Sequence, residues 1–189
     1  MKAATATREI DMHPVLKCLI GVVLLGSAVP LAVQAQVRTP DADWTTFYVP
    51  DFGTQIEYPA AIFSKDEGNA EKGLGRRFTT ADGSATFTIY SRANEARDTP
   101  ASYLRKNLRV SRTTLDYERI APTFFAISSV RQGTIFYSRC NFSTDAGGAI
   151  HCFDLVYPQQ AKRAYDYVVT RISRSLRPLE SWQSAARGS

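Results

Sequence analysis

The chain is poor in the side chains that most often carry chemistry, with two histidines and three cysteines among 189 residues. His13 falls in an apolar leader at the N-terminus, so His151 is the one histidine left for a mature protein. A single imidazole with no Cys-x-x-Cys makes a poor zinc-type ligand set, so no metal and no cofactor is expected. There is no Gly-x-Ser-x-Gly elbow, no His-Glu-x-x-His helix and no phosphate loop. The motif-borne routes to hydrolysis and phosphoryl transfer therefore have no anchor. Basic residues outnumber acidic ones by only 23 to 18, and they are dispersed rather than gathered in a stripe, a poor fit for nucleic-acid binding. No internal repeat is visible.

What is present begins with a targeting segment. Lys17 precedes twelve apolar residues, 18–29, followed by Pro30 and the small-x-small site Val33-Gln34-Ala35. That order describes a secretory signal peptide over residues 1–35, too short for a comfortable membrane span; an uncleaved signal anchor is the alternative. Residues 12–35 already form a complete leader, whereas Glu9 and Asp11 place acid where positive charge belongs, so translation is expected to start at Met12 rather than Met1. Cys18 precedes the apolar run instead of following it, which rules it out as a lipid-attachment site. Residues 1–35 hold Lys2, Arg8 and Lys17 against Glu9 and Asp11, so 23 basic and 18 acidic residues become 20 and 16, a balance of +4. That small, dispersed excess makes contact with an anionic envelope surface a secondary expectation.

After a polar linker, 36–43, the chain reads as one α+β domain over 44–180 with a polar tail at 181–189. Residues 44–49 and 53–58 alternate as strands and are closed by Pro50 and Pro59. Residues 60–76 read as a polar loop, whose Gly73-Leu74-Gly75-Arg76-Arg77 end is a turn before it is an anion cradle. Residues 76–80 and 85–90 flank Asp82-Gly83, the signature of a type I′ hairpin that would set Phe78 against Phe87. Thr99-Pro100 opens a helix with threonine as N-cap and proline at its first position, and Ala101, Leu104 and Leu108 mark its apolar stripe. Arg105, Lys106, Arg109 and Arg112 decorate the remainder, as a solvated face or as a basic contact face. Residues 114–120 read as a strand. A meander follows at 123–131, 134–143 and 149–157, and 159–176 closes the domain with Ala161, Tyr165, Val168, Ile172 and Leu176 on one helical stripe.

The meander holds both remaining cysteines. If Thr144 pairs with Gly148, Cys140 falls directly opposite Cys152, and an exported protein favours their disulfide over two free thiols or thiols awaiting a metal or redox partner. The same register puts Phe125, Ile127, Phe136, Phe142, Ile150 and Val156 on the cysteine face, read as core. Tyr137, Arg139, Asn141 and His151 fall on the other face, either as a ligand or partner patch or as satisfied polar residues near a turn. Asp154 cannot orient His151, because residues three apart on a strand point to opposite faces. The Asn141-Phe142-Ser143 glycosylation pattern is read as incidental.

The strands closed by Tyr58-Pro59, the Asp82-Gly83 hairpin, the Thr99-Pro100 helix, the meander and the closing helix with its Val168–Leu176 run together resemble the PsbP-like α/β/α sandwich family, over residues 44–178. The resemblance implies an antiparallel sheet of about six or seven strands with two main helices on its faces. It also implies a non-catalytic protein that binds another protein or a membrane complex, and it transfers no site residue. The leading expectation is an exported, periplasmic or secreted, non-enzymatic protein with an envelope partner. A small-ligand binder or enzyme built on Tyr137, Arg139, Asn141 and His151 is the alternative, and a purely structural envelope role is a third.

Overall fold

Residues 43–107, 114–143 and 148–178 are described by a computed structural model, and all lie within the compact unit Ala35–Ser189. The strands are β1 (Trp44–Val49), β2 (Thr54–Pro59), β3 (Lys65–Asn69), β4 (Leu74–Thr79), β5 (Thr86–Ala93), β6 (Tyr117–Ile120), β7 (Phe124–Arg131), β8 (Thr134–Phe142), β9 (Ala149–Pro158) and β10 (Arg177–Pro178). The helices are α1 (Pro100–Asn107) and α2 (Lys162–Ser175). Seven strands form one antiparallel sheet in the order β3-β4-β5-β9-β8-β7-β6, and β1-β2-β10 form a second, three-stranded sheet.

The two turns of the long hairpins divide the chemistry between them. Gln132 and Gly133 both take positive φ, 50° and 74°, which is the two-residue I′ geometry that matches the twist of β7 and β8. At the Asp82-Gly83 turn only Gly83 is left-handed, at φ 72°, and its N–H donates to the Thr80 carbonyl at 2.9 Å. The expected type I′ turn is therefore replaced by a longer connection. The Asp82 carboxylate explains the change: it accepts from the Thr80 hydroxyl at 2.6 Å and from the Ser84 N–H at 3.0 Å, fastening the turn from inside. The pairing survives, with Phe78 opposite Phe87.

The stretch expected as a loop at 60–76 contains β3. Its sequence, KDEGN, is largely exposed and violates strand propensity, but an edge strand paired on one side tolerates charge and even benefits from it. Gly75 allows β4 to approach β5: a Cβ there would stand 2.0 Å from the Ile89 carbonyl oxygen.

Both faces of the large sheet are covered, by different means. On one face, α2 and β2 lie over Phe87, Ile89, Ile135, Phe153, Leu155 and Tyr157, with Tyr165, Val168, Ile172 and Leu176 supplying the helical side. On the cysteine face, Tyr103 and Leu104 of α1 pack against Phe125, Ile127, Phe142, Ile150 and the two cysteines. The N-cap of α1 is reciprocal: the Ser102 N–H donates to Thr99 Oγ1 at 3.2 Å and the Thr99 N–H to Ser102 Oγ at 3.0 Å.

The expected single core face is thus corrected twice. Phe136 is 42% exposed and Val156 is half-buried, because α1 covers the Cys140 end of that face and Phe136 stands at the other. The opposite face, expected to be partly bare, carries the larger core.

Candidate functional site

Cys140 and Cys152 are paired across β8 and β9 and joined by a disulfide with a Cα separation of 4.1 Å. The bridge is completely enclosed beneath α1 and serves the packing of that face.

The polar residues of the other face separate into two groups. His151 is fully buried, with Nδ1 2.6 Å from Thr54 Oγ1 and Nε2 3.0 Å from Ser143 Oγ. Thr54 in turn meets Ser91 Oγ at 2.6 Å, so a closed polar cluster ties β2 to β5 and β9. Burial pushes the imidazole down to about 4, leaving a neutral ring whose hydrogen bonds are internal. Tyr137, Arg139 and Asn141 instead meet the last turns of α2. Arg139 donates from Nε to Asn141 Oδ1 and from Nη1 to Ser173 Oγ, each at 3.0 Å. Asn141 Nδ2 donates to the Leu176 carbonyl at 2.9 Å, and the Tyr137 hydroxyl lies 3.1 Å from Ser173 Oγ.

These residues border a groove of about 700 Å³ between α2 and strands β6 to β8. Its floor alternates as strand pleating requires: Phe124, Ala126, Ser128 and Val130 from β7 beside Ile135, Tyr137 and Arg139 from β8. Val169, Thr170, Ser173 and Arg174 form the helical wall, while Tyr117 and Arg119 of β6 form the other. The groove exists because α2 covers β9 and half of β8, leaving the outer strands bare on this side.

Arg139 is the chemically distinctive member. Its guanidinium stacks over Phe124 at 4.4 Å from the ring centre, and Arg119 approaches the same ring at 5.4 Å. Among the described residues no carboxylate pairs with either arginine. Among the described residues Nη2 of Arg139 has no acceptor, and the half-buried side chain lines the groove. Burial lowers the Arg139 pKa, and the charge of Arg119 acts in the same direction. The pair is held together by Phe124, Asn141 and Ser173 against its own repulsion.

The basic helix face divides differently. Arg105 is exposed, and Lys106 is tied to Asp98 at 2.6 Å. Arg109 and Arg112 lie outside the described residues. α1 covers the cysteine face, so this basic surface and the groove lie on opposite sides of the large sheet. Among the described residues no group of three or more metal-ligating side chains occurs, and no helix is long and apolar enough to cross a membrane.

Neither a family model nor a curated protein matches the chain. Solved structures do. The solution structure of cyanobacterial PsbP (CyanoP) from Synechocystis aligns with a TM-score of 0.53 at 11% identity, over 79% of this chain and 99% of that one. The fold is PsbP-like. A crystal structure from Bacteroides thetaiotaomicron aligns with a TM-score of 0.45 at 16% identity, over 73% of this chain and 49% of that one. The PsbP-like resemblance seen in the order of elements is a likeness of fold, and identity this low carries no residue across.

Phe124, Arg119 and Ser173 belong to the groove and were not singled out from sequence. The parity of β6 and β7 could have found the first two once Arg119 was set opposite Ala126. Ser173 had no such signal, because it joins Arg139 only through the docking of α2.

Proposed function

We propose that this chain is an exported, non-enzymatic binding protein whose groove between α2 and β6–β8 receives a segment of an envelope protein. The observation that carries the reading is Arg139 itself, a half-buried cation on the groove lining that has no carboxylate partner among the described residues and stands beside Phe124, Tyr137 and Val169. A cation fixed in this way offers directional hydrogen bonds to an incoming acceptor, and its orientation is already set by Asn141 and Ser173. The disulfide suits an oxidising compartment, and the leader at 1–35 with its Val33-Gln34-Ala35 site supplies the route there. The catalytic alternative built on His151 loses its accessible base, since that ring is enclosed and saturated with hydrogen bonds.

The test is site-specific photo-crosslinking in the native cell. A photoreactive residue at Thr170, on the groove wall, is expected to capture a discrete envelope protein, whereas one at Glu95, exposed and remote from the groove, is not. Capture from both positions alike, or from neither, overturns the reading.

A further inference from the structure

Charge is distributed unevenly along the groove, and that asymmetry points to the chemistry of its occupant. Register places Phe124, Arg119 and Arg139 at one end, with Arg119 and Arg139 both paired to Ala126 of β7. The other end is marked by Val130 opposite Ile135. There the Asp116 carboxylate accepts from the Val130 N–H at 2.6 Å, and Asp166 is paired with Lys162 at 2.9 Å. On the helical wall Arg174 is a further basic residue of the lining, besides the Lys162 already paired with Asp166. Between the ends the floor is Ser128 and Tyr137, with Val169 on the wall. From Phe124 to Val130 a strand advances roughly 20 Å, the reach of about six extended residues.

Each feature removes a class of ligand. A small inorganic anion would use the arginines and leave the apolar strip idle. A flat anionic surface would meet Asp116 and Asp166 as well as the arginines, and it could not enter a trough between a helix and a strand. A purely apolar peptide would bury the guanidinium of Arg139 without an acceptor for Nη2, at the cost of an unsatisfied charged donor. An extended segment with a carboxylate at one end satisfies all three.

We propose, building on the binding reading above, that the groove takes an extended peptide bearing a carboxylate, with Arg139 and Arg119 receiving the acid and the β7–β8 floor taking its apolar neighbours. The carboxylate comes either from an Asp or Glu side chain or from a free C-terminus; the shared chemistry is a planar two-oxygen acceptor, which matches the guanidinium fork. Arg139 supplies the preformed half of the site. Exposed Arg119 has only the Phe124 ring as a described contact, so its head can swing onto the second oxygen.

The test uses the mature chain, disulfide intact, and a displayed library of random peptides with free C-termini. Selected sequences are remade as synthetic fluorescent peptides for anisotropy, each in three forms: unchanged, with Asp or Glu replaced by Asn or Gln, and with the C-terminus amidated. Enrichment of acid-bearing peptides, loss of binding in one neutralised form, and weakening by added salt are expected; the form that loses binding identifies the source of the carboxylate. Arg139→Gln is expected to lower affinity about ten- to a hundredfold, the scale of one charge-assisted hydrogen bond. Arg119→Gln, on an exposed edge strand that tolerates substitution, is expected to lower it severalfold and keeps the test decisive if Arg139→Gln fails to fold. No enrichment, binding that survives both neutralisations, or affinity unchanged in the Arg119→Gln variant overturns the proposal. The two readings also fail separately. A groove crosslink with carboxylate-independent peptides ends only this inference, and acid-dependent peptides without a cellular crosslink end only the envelope-partner reading.

Discussion

The imidazole of His151 sits with no exposed surface, bounded by Thr54 and Ser143 and one bond away from Ser91. Burial holds it at about 4, against 6.5 for the free side chain. The unfolded chain therefore takes up the proton first as pH falls. Stability from this residue is full above about pH 6.5, declines through the interval, and stops declining below about pH 4. The loss expected across that window is about 3 kcal/mol, by the usual conversion of pKa shift to free energy. Urea denaturation of the mature chain at pH 7.5 and pH 4 measures it, and His151→Gln is expected to flatten the dependence. An equal slope in the variant would assign the effect to carboxylates instead. Arg139 poses the complementary case of a half-buried cation, whose partial burial lowers its pKa without enclosing it.

At the scale of elements, β8 and β9 form the best-specified unit. Cys140 opposes Cys152 and Arg139 opposes Phe153, so one register decides the bridge, the floor of the groove and both cores. The disulfide closes a loop of twelve-residue separation, for which chain-entropy estimates give about 2–3 kcal/mol. The double variant Cys140→Ala, Cys152→Ala is expected to lower the melting temperature by about 5–10 °C in a chain of this size. A melting temperature that does not move would mean that burial beneath α1 alone holds the hairpin ends. The β3 strand shows the opposite situation, an element specified by its neighbour. Its charged residues were unreadable as a strand because edge pairing to β4 imposes the conformation that KDEGN does not favour by itself.

Across the whole molecule, the large sheet is the shared wall of two cores, one under α2 and β2 and one under α1. Because β5, β8 and β9 contribute side chains to both, the cores cannot part without breaking the same strands. Ile172→Ala, in the α2 core, is expected to cost about 2–5 kcal/mol, the range for truncating a fully buried isoleucine. The cost should appear as a single displaced transition with coincident far-UV circular dichroism and tryptophan fluorescence midpoints. Two separated transitions would show that the α1 side melts independently. The PsbP-like arrangement places the groove where this double coverage ends, beyond the reach of α2 across the outer strands.

Local chemistry in the chain settled the elements whose causes are local. Alternation specified the meander, the tight turn joining β7 to β8 followed from Gln132-Gly133, and a stripe at helical spacing specified α2. The Cys140–Cys152 pairing was also legible, since hairpin register propagates from a turn with a period of two. Which face would be covered was not legible, because both faces of β8 and β9 alternate apolar with polar residues. That outcome depended on where α2 and β2 came to rest, a long-range contact that no residue in the hairpin encodes. The same docking enclosed His151, brought Ser173 to Arg139, and left that arginine on the lining of the groove.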